Sequence, residues 1–120
     1  MNRTGVMHLV DTLSLGGAER MCVQLANSLP RERFSAHVCA TRRTGPLANE
    51  IAPHVRFLDL RRRSRFDLGA MVRLRRYVKQ NEIRILHAHG TAVFLAAAVK
   101  AMGAQVAVVW HDHYLSLIHI

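Results

Sequence analysis

The sequence "GVMHLVDTLSLGGAER", from Gly5 to Arg20, contains an apolar run, two adjacent glycines and the start of a helical pattern. Its first six residues, Gly5–Val10, form a near-continuous apolar run, as in a strand that is buried on both faces of a parallel sheet. Two adjacent glycines, Gly16 and Gly17, come next. Apolar residues then recur every three or four positions up to Leu29, which is the pattern of an amphipathic helix. The stretch therefore predicts a strand, a glycine turn and a helix in succession.

The same alternation continues along the chain. Asp67 is predicted to cap the second helix and Thr91 the third, and Thr44–Leu47 is predicted to be a loop. Further strands are predicted at Phe34–Thr41, Val55–Leu60, Arg84–His89 and Gln105–His111. Strands separated by helices form parallel βαβ units, so we predict an α/β fold, a three-layer sandwich around a parallel sheet of about five strands.

Length and composition limit the class of protein. The 120 residues fit one domain, and half of them are apolar, which is enough for a core. The most apolar stretch has 12 residues and includes Lys100, so it predicts a core helix rather than a membrane span. The first residues do not fit a secretory signal. Cys22 and Cys39 have no metal-binding or redox spacing, which favours the cytoplasm.

Positive charge is concentrated in one part of the sequence. The formal net charge is +9. Residues 56–84 carry ten basic and three acidic side chains, so ten minus three gives +7 of that excess. This predicts one basic patch with an anionic partner. The candidate anion- or membrane-binding residues are Arg61, Arg62, Arg63, Arg65, Arg73 and Arg76. Phe66 and Tyr77 are the only aromatics of residues 61–84, which favours anionic lipid over RNA.

Ligands of open parallel sheets collect beyond the carboxyl ends of the strands, beside the first strand. Three predicted loops meet there, at Leu13–Gly17, His89–Thr91 and His111–Tyr114. A glycine turn before a helix presents bare N–H groups and the positive end of the helix dipole, to which a phosphate can bind. Equally, the two glycines could serve only to turn the chain. The spacing matches neither a dinucleotide-binding nor a P-loop motif.

Histidines are the other candidate functional groups. His8 is interpreted as a core histidine. His87 and His89 alternate with Ala88 and therefore share one face of a strand, with His87 buried and His89 nearer the ligand edge. His111, Asp112 and His113 form a titratable cluster at the end of the last strand, where chemistry is usual in such folds. A third clear metal ligand is lacking, so we expect no metal site.

Three segments together resemble one family. "VMHLVDTLSLGGAERMCVQLA", "ILHAHG" and "VVWHDHY" resemble the N-terminal domain of family-4-type glycosyltransferases of the GT-B architecture. The resemblance covers residues 5 to about 114 and implies the Rossmann-like N-terminal half of a GT-B fold. In that family a second Rossmann-like domain binds the nucleotide-sugar donor, the N-terminal domain chiefly binds the acceptor, and transfer usually retains the anomeric configuration.

The resemblance also implies roles for individual residues. Gly16 and Gly17 would approach the donor phosphates. His111 would line the sugar site with Asp112 beside it, as the catalytic pair. His89, Gly90 and His113 would form the acceptor wall. Glu19 and Arg20 receive no role.

The expected function is thus that of the acceptor-side part of a retaining glycosyltransferase, of the kind that builds cell-envelope polysaccharides. Its partners are a nucleotide-sugar donor and a saccharide or lipid-linked acceptor. We expect no cofactor, no metal and no nucleic acid, and a cytoplasmic location with peripheral contact at the inner face of the membrane. Two alternatives stay open: another nucleotide-binding α/β protein, and a non-catalytic basic module for membrane or nucleic acid. The basic end of the second strand, "CATRRTG", disfavours NAD.

The last six residues, "LSLIHI", are what CTGTCTCTTATACACATC encodes, and this DNA resembles the end of a transposase-type sequencing adapter. We therefore expect residues 1–114 to be the glycosyltransferase domain and residues 115–120 to be an artefact. The donor-binding half is then missing, and the fragment alone should be inactive. Finding "LSLIHI" in the intact gene would contradict this expectation.

Overall fold

A computed structural model describes residues 3–111 and the backbone of residues 118–119. Apolar strands alternate with amphipathic helices, as the sequence predicts. The strands are β1 (Thr4–Thr12), β2 (Phe34–Arg43), β3 (Arg56–Asp59), β4 (Ile83–His89), β5 (Ala107–His111) and β6 (Ile118–His119). The helices are α1 (Gly17–Ser28), α2 (Leu68–Gln80) and α3 (Val93–Ala101), with short 3-10 helices at Pro46–Glu50 and Gly90–Ala92.

The strands form one sheet in the order β3-β2-β1-β4-β5-β6. The first five in that order are parallel, and β6 pairs antiparallel with β5. The chain order therefore reverses between β1 and β4, where α/β proteins of this kind bind their ligands. The predicted α/β fold with five parallel strands is confirmed. Strand β6 lies within the segment 115–120, which is predicted to be an artefact. That prediction stays open, and the gene sequence would test it.

Each face of the sheet has its own apolar core. The first core lies between the sheet and helices α2 and α3, and it includes Met7, Leu9, Leu86, Ala88 and Val108 from the strands. The second lies under α1, and it combines Cys22, Val23 and Ala26 with residues of β1 and β2. Adjacent residues of one strand point to opposite faces of the sheet. Alternate residues of β1 and β4 therefore belong to the core under α2 and α3, and the residues between them point toward α1.

The helices follow the predicted periodicity. In α2 the buried residues are Ala70, Leu74 and Val78, with Met71 and Tyr77 half-buried beside them. Asp67 caps α2 as predicted, since its Oδ1 accepts a hydrogen bond from the Ala70 N–H at 3.1 Å. None of the described helices is both long and apolar enough to cross a membrane.

Two local predictions are wrong. Thr91 does not cap α3: it lies inside a 3-10 turn, and its hydroxyl donates to Asp11 instead. The predicted loop at Thr44–Leu47 runs into the 3-10 helix Pro46–Glu50, whose Leu47 is fully buried. In both cases a long-range contact has overridden the local pattern of turn residues.

The two cysteines are free and buried. Burial raises the pKa of Cys22 to about 12 and raises that of Cys39 further. Both therefore stay protonated thiols at neutral pH and pack as small apolar groups.

Candidate functional site

Asp11 connects three strand ends at the carboxyl edge of the sheet. It lies near the end of β1, and its Oδ1 accepts a hydrogen bond from Thr41 Oγ1 at 2.5 Å. Its Oδ2 accepts a hydrogen bond from the Thr91 hydroxyl, and Arg62 Nη2 lies 3.5 Å from Oδ1. One carboxylate thus fixes the ends of β1 and β2 and the loop after β4 relative to one another.

A row of histidines lies on the face of the sheet opposite α2 and α3. His8 of β1 is in register with His87 of β4, and His89 of β4 is in register with His111 of β5. Neighbouring parallel strands in register place these four rings on the same face. The His87 and His89 rings stack with their centroids 4.6 Å apart, and His111 lies 5.6 Å from His89. The prediction that His87 and His89 share a face is confirmed.

The burial of this row differs from the prediction. His89 is only 2% exposed, whereas His87 is half-buried. The sequence predicts the reverse because it places the ligand edge at the strand's end. His89 is covered because its strand neighbour His8, itself 2% exposed, packs against it, with His8 Nδ1 and His89 Nε2 3.1 Å apart. One of these two nitrogens carries the proton and donates to the other.

Burial fixes the charge state of part of the row. It lowers the pKa of His8 to about 3, and the charges of His87 and His111 act in the same direction. Burial likewise lowers the pKa of His87 to about 4, with His111 contributing. Both rings are therefore neutral at physiological pH, and each can donate one hydrogen bond and accept another.

The row is also the place where a metal would be considered. Two groups of side chains have possible ligand atoms within 4.8 Å of one another. The first group consists of His87, His89 and His111, and the second of His8, Cys22 and His89. A ligated metal lies in the plane of each imidazole ring, however, and the rings of His87 and His89 are parallel to within 3°. Two parallel, stacked rings cannot share one ion without turning. Binding of one ion by the first group would therefore require the ring of His87 or His89 to turn.

The glycine turn leaves one open position at the start of α1. Gly16 is the N-cap residue and has an extended backbone. A Cβ on Gly16 would lie 2.6 Å from the Glu19 carboxylate, whereas a Cβ on Gly17 would meet no described heavy atom within 4 Å. Ser14 Oγ donates to Glu19 Oε2 at 2.9 Å and so holds that carboxylate in place. Gly17 is thus the accessible glycine, and Glu19 already places a negative charge beside Gly16.

The loop after β4 is open in a similar way. Gly90 has a left-handed backbone, with φ at +61°, and a Cβ there would meet no described heavy atom within 4 Å. The Trp110 indole N–H donates to the Gly90 carbonyl at 3.0 Å, which ties this loop to the end of β5. His111 follows directly and is half-buried. Asp112 and His113 lie outside the described residues.

The basic residues do not form one patch, so that prediction is wrong. Arg62, Arg63 and Arg65 line a groove at the carboxyl edge. Arg75 and Arg84 line a second one with the amino-terminal residue of β4, at the opposite edge of the sheet. Arg61 is exposed and pairs with Asp59 at 3.1 Å, Arg73 donates to the Leu60 carbonyl at 2.7 Å, and Arg76 is exposed on α2. The basic residues of positions 56–84 are divided between the two ends of the strands, because α2 runs from the carboxyl edge of the sheet to the opposite edge.

Two residues of this site escaped the sequence analysis. Asp11 was not singled out, although a carboxylate directly after a buried strand is a usual signal for a site in such sheets. Glu19 received no role, although an acidic residue in the first turn of a helix commonly turns back toward its N-terminus. Arg20 forms an ion pair with Glu50 at 3.5 Å, on the exposed side of α1.

The model of Glycosyltransferase Family 4 matches residues 15–119 of the chain. No curated protein matches it.

Proposed function

Because the chain belongs to Glycosyltransferase Family 4, we propose that it is the acceptor-side domain of a retaining glycosyltransferase. The observation that carries the proposal is the convergence of three strand ends beside the switch point. There the open Gly17 turn follows β1, the open Gly90 turn follows β4, and the half-buried His111 ends β5. This is where an α/β sheet positions groups for a ligand.

In this proposal Gly16 and Gly17 form the donor phosphate site. The N–H groups at the start of α1 have no partner within the helix, and the helix dipole favours a negative ligand. No described side chain caps α1. The accessible surface is at Gly17, because the Glu19 carboxylate covers Gly16. A donor diphosphate would therefore approach from the Gly17 side, or displace Glu19.

The sugar and acceptor would bind along the neighbouring strand ends. His111, with Asp112, would line the sugar site as the catalytic pair, and His89, Gly90 and His113 would form the acceptor wall. Since His89 is buried, it would act through its Nε2 contact with His8 and by supporting the open Gly90 turn, rather than by broad contact with the acceptor. The neutral imidazole of His8 suits the supporting role, since it can donate one hydrogen bond and accept another.

We further propose that the parent enzyme transfers a sugar from a nucleotide-sugar to a saccharide or lipid-linked acceptor in cell-envelope polysaccharide synthesis. It would work in the cytoplasm with a peripheral contact at the inner face of the membrane, and without a metal or nucleic-acid partner. The parallel rings of His87 and His89 support the part concerning the metal. The donor-binding domain would lie outside residues 1–114, and the isolated chain would transfer no sugar.

The test is a His111→Ala substitution in the enzyme encoded by the complete gene. Removing a hydrogen-bonding group from the sugar site should lower kcat by about 100-fold, as for other groups that stabilise a transition state directly. The readout is nucleotide release together with the glycosylated product. The matched control is His54→Ala, which removes a half-buried histidine from the loop before β3.

Equal activity of the His111 and His54 variants would contradict the placement of the sugar site. Sugar transfer by the isolated 120-residue chain would contradict the division of labour between two domains.

A further inference from the structure

A groove of about 470 Å³ lies at the carboxyl edge of the sheet, on the side of α3 and opposite the histidine row. Its walls come from the ends of β1 and β2, from the loop after β3 and from the start of α3. The lining side chains include Asp11, Arg42, Arg62, Arg63, Arg65 and Phe94. The groove therefore borders the Thr91 turn, on the side of the sheet edge that is covered by α3.

The groove is strongly electropositive. Four guanidinium groups and one carboxylate line it, so four minus one gives a formal charge of +3. The carboxylate is already engaged by Arg62 and by two threonines. Arg42, Arg63 and Arg65 form no ion pair with any described residue. The Asp67 carboxylate lies near Arg63, whose backbone N–H donates to Asp67 Oδ2 at 2.9 Å. Asp67 thus offsets part of the Arg63 charge, and the groove keeps an excess of positive charge among the described residues.

The backbone around Arg62 explains how a guanidinium reaches the floor of the groove. Arg61 takes a left-handed conformation, with φ at 54°, directly after β3. The Arg62 N–H then donates to the Thr41 carbonyl at 2.7 Å, which turns the Arg62 side chain inward until only 15% of it is exposed. Its Nε is buried and has no hydrogen-bond partner among the described residues. A buried donor of this kind is costly unless a ligand satisfies it.

One wall of the groove is apolar. Phe94, at the start of α3, is 60% exposed, and the Arg65 guanidinium lies over its ring at 5.3 Å. This cation–π contact holds Arg65 over the groove while leaving its N–H groups available. Planar guanidinium groups present paired donors that match phosphate oxygens. The groove thus combines several phosphate donors with one apolar surface.

We propose that this groove binds a phosphate group carried by the acceptor, with Arg62, Arg63 and Arg65 as its ligands. The inference rests on the proposed glycosyltransferase function and names the class of acceptor, which is phosphorylated. The phosphate could belong to a soluble sugar phosphate or to a lipid-linked acceptor, since the same oxygens would be recognised. The basic groove at the opposite edge takes no part.

The experiment measures phosphate binding by the 120-residue chain itself. Inorganic phosphate and glucose 6-phosphate are titrated at low salt, and binding is followed by amide chemical shifts and by calorimetry. The test variant is R63S/R65S, which removes two exposed guanidinium groups. The control is R75S/R84S, which removes the same charge from the groove at the opposite edge. Circular dichroism confirms that both variants fold.

The expected result is a loss of affinity of about tenfold or more in R63S/R65S, as for the removal of charge-assisted hydrogen bonds. The control should change affinity by about twofold or less, since the remaining charges act only through screened solvent. Shift changes in the wild type should centre on residues 62–65 and 94. An R62K variant should also weaken binding, because lysine keeps the charge but loses the buried Nε donor.

A second measurement identifies the source of the phosphate. Sedimentation with vesicles of phosphatidylglycerol or of phosphatidylcholine is compared for the same variants. Loss of phosphatidylglycerol binding in R63S/R65S alone indicates a lipid-linked phosphate. Unchanged vesicle binding with lost glucose 6-phosphate binding indicates a soluble one.

Equal losses in both double variants would overturn the proposal, because they would show a general effect of net charge. Undetectable binding of every phosphate probe would overturn it too. Neither result bears on sugar transfer, which is tested separately at His111.

Discussion

The two faces of the sheet differ in chemistry although the same strands build both. Under α2 and α3, β1 and β4 contribute Met7, Leu9, Leu86 and Ala88, all apolar and fully buried. On the opposite face the alternate residues His8, His87 and His89 form a polar row. Both faces carry an apolar core, but among the described residues only the face opposite α2 and α3 also carries a row of imidazole rings at its strand ends.

The helices that cover the two faces differ in how their N-termini are capped. Asp67 caps α2 with a side-chain hydrogen bond, whereas α1 begins at Gly16 with no cap from a described side chain. A capped terminus satisfies its own N–H groups, while an uncapped one leaves them to water or a ligand. The stabilising helix is therefore closed at its N-terminus, and the helix on the histidine face is left available.

The largest effect that tests this contrast is a loss of stability. Leu86→Ala should lower the free energy of unfolding by about 2–5 kcal/mol, because it removes a fully buried side chain from the core under α2 and α3. His87→Ala, at the next position on the other face, should cost about 1 kcal/mol, since that side chain is half-buried. Urea denaturation measures both. Equal losses at the two positions would show that both faces carry the fold alike.

The next effect is a dependence of stability on pH that arises from the histidine face. The pKa of His8 is lowered from 6.5 to about 3 in the folded chain. Between these values the unfolded chain binds a proton that the folded chain does not. The contribution of His8 to stability is therefore complete above about pH 6.5 and is lost as the pH falls toward its folded pKa. From pH 7.5 to 5 this amounts to about 2 kcal/mol, at 1.4 kcal/mol per pKa unit.

His8→Asn separates this contribution from the others. Asparagine keeps a polar group near the position of Nδ1, facing His89, but does not titrate. The variant should lose about 2 kcal/mol less stability than the wild type on acidification. Burial also lowers the pKa values of His37 and His87 to about 4. These two histidines are present in the wild type and in the variant, so their effect on the pH dependence of stability is the same in both. Parallel curves for wild type and variant would mean that His8 takes up its proton without unfolding.

Much of the fold follows from local patterns in the sequence. The apolar run Gly5–Val10, the helical stripe of α2 and the cap at Asp67 each act within a few residues, so each could be predicted. The contacts that shape the site join distant parts of the chain. Thr91 reaches Asp11 across 80 positions and His8 reaches His89 across 81, and both depend on a strand register that local patterns do not encode.

The same reason accounts for the misplaced charges. The sequence shows that residues 56–84 are basic. It does not show that the left-handed turn at Arg61 sends Arg62 inward, or that α2 carries Arg75 to the opposite edge. Which charges face a common groove is decided by tertiary structure.

In the proposed function, the open backbone at Gly17 receives the donor phosphate. The most direct test is Gly17→Val in the enzyme encoded by the complete gene. A Cβ at this position meets no described heavy atom within 4 Å, and we therefore expect the domain to fold and unfold as before. Sugar transfer should fall at least about tenfold, which corresponds to 1.4 kcal/mol of transition-state binding, because the valine occupies the phosphate's approach. Undiminished transfer by a normally folded Gly17→Val enzyme would contradict the account.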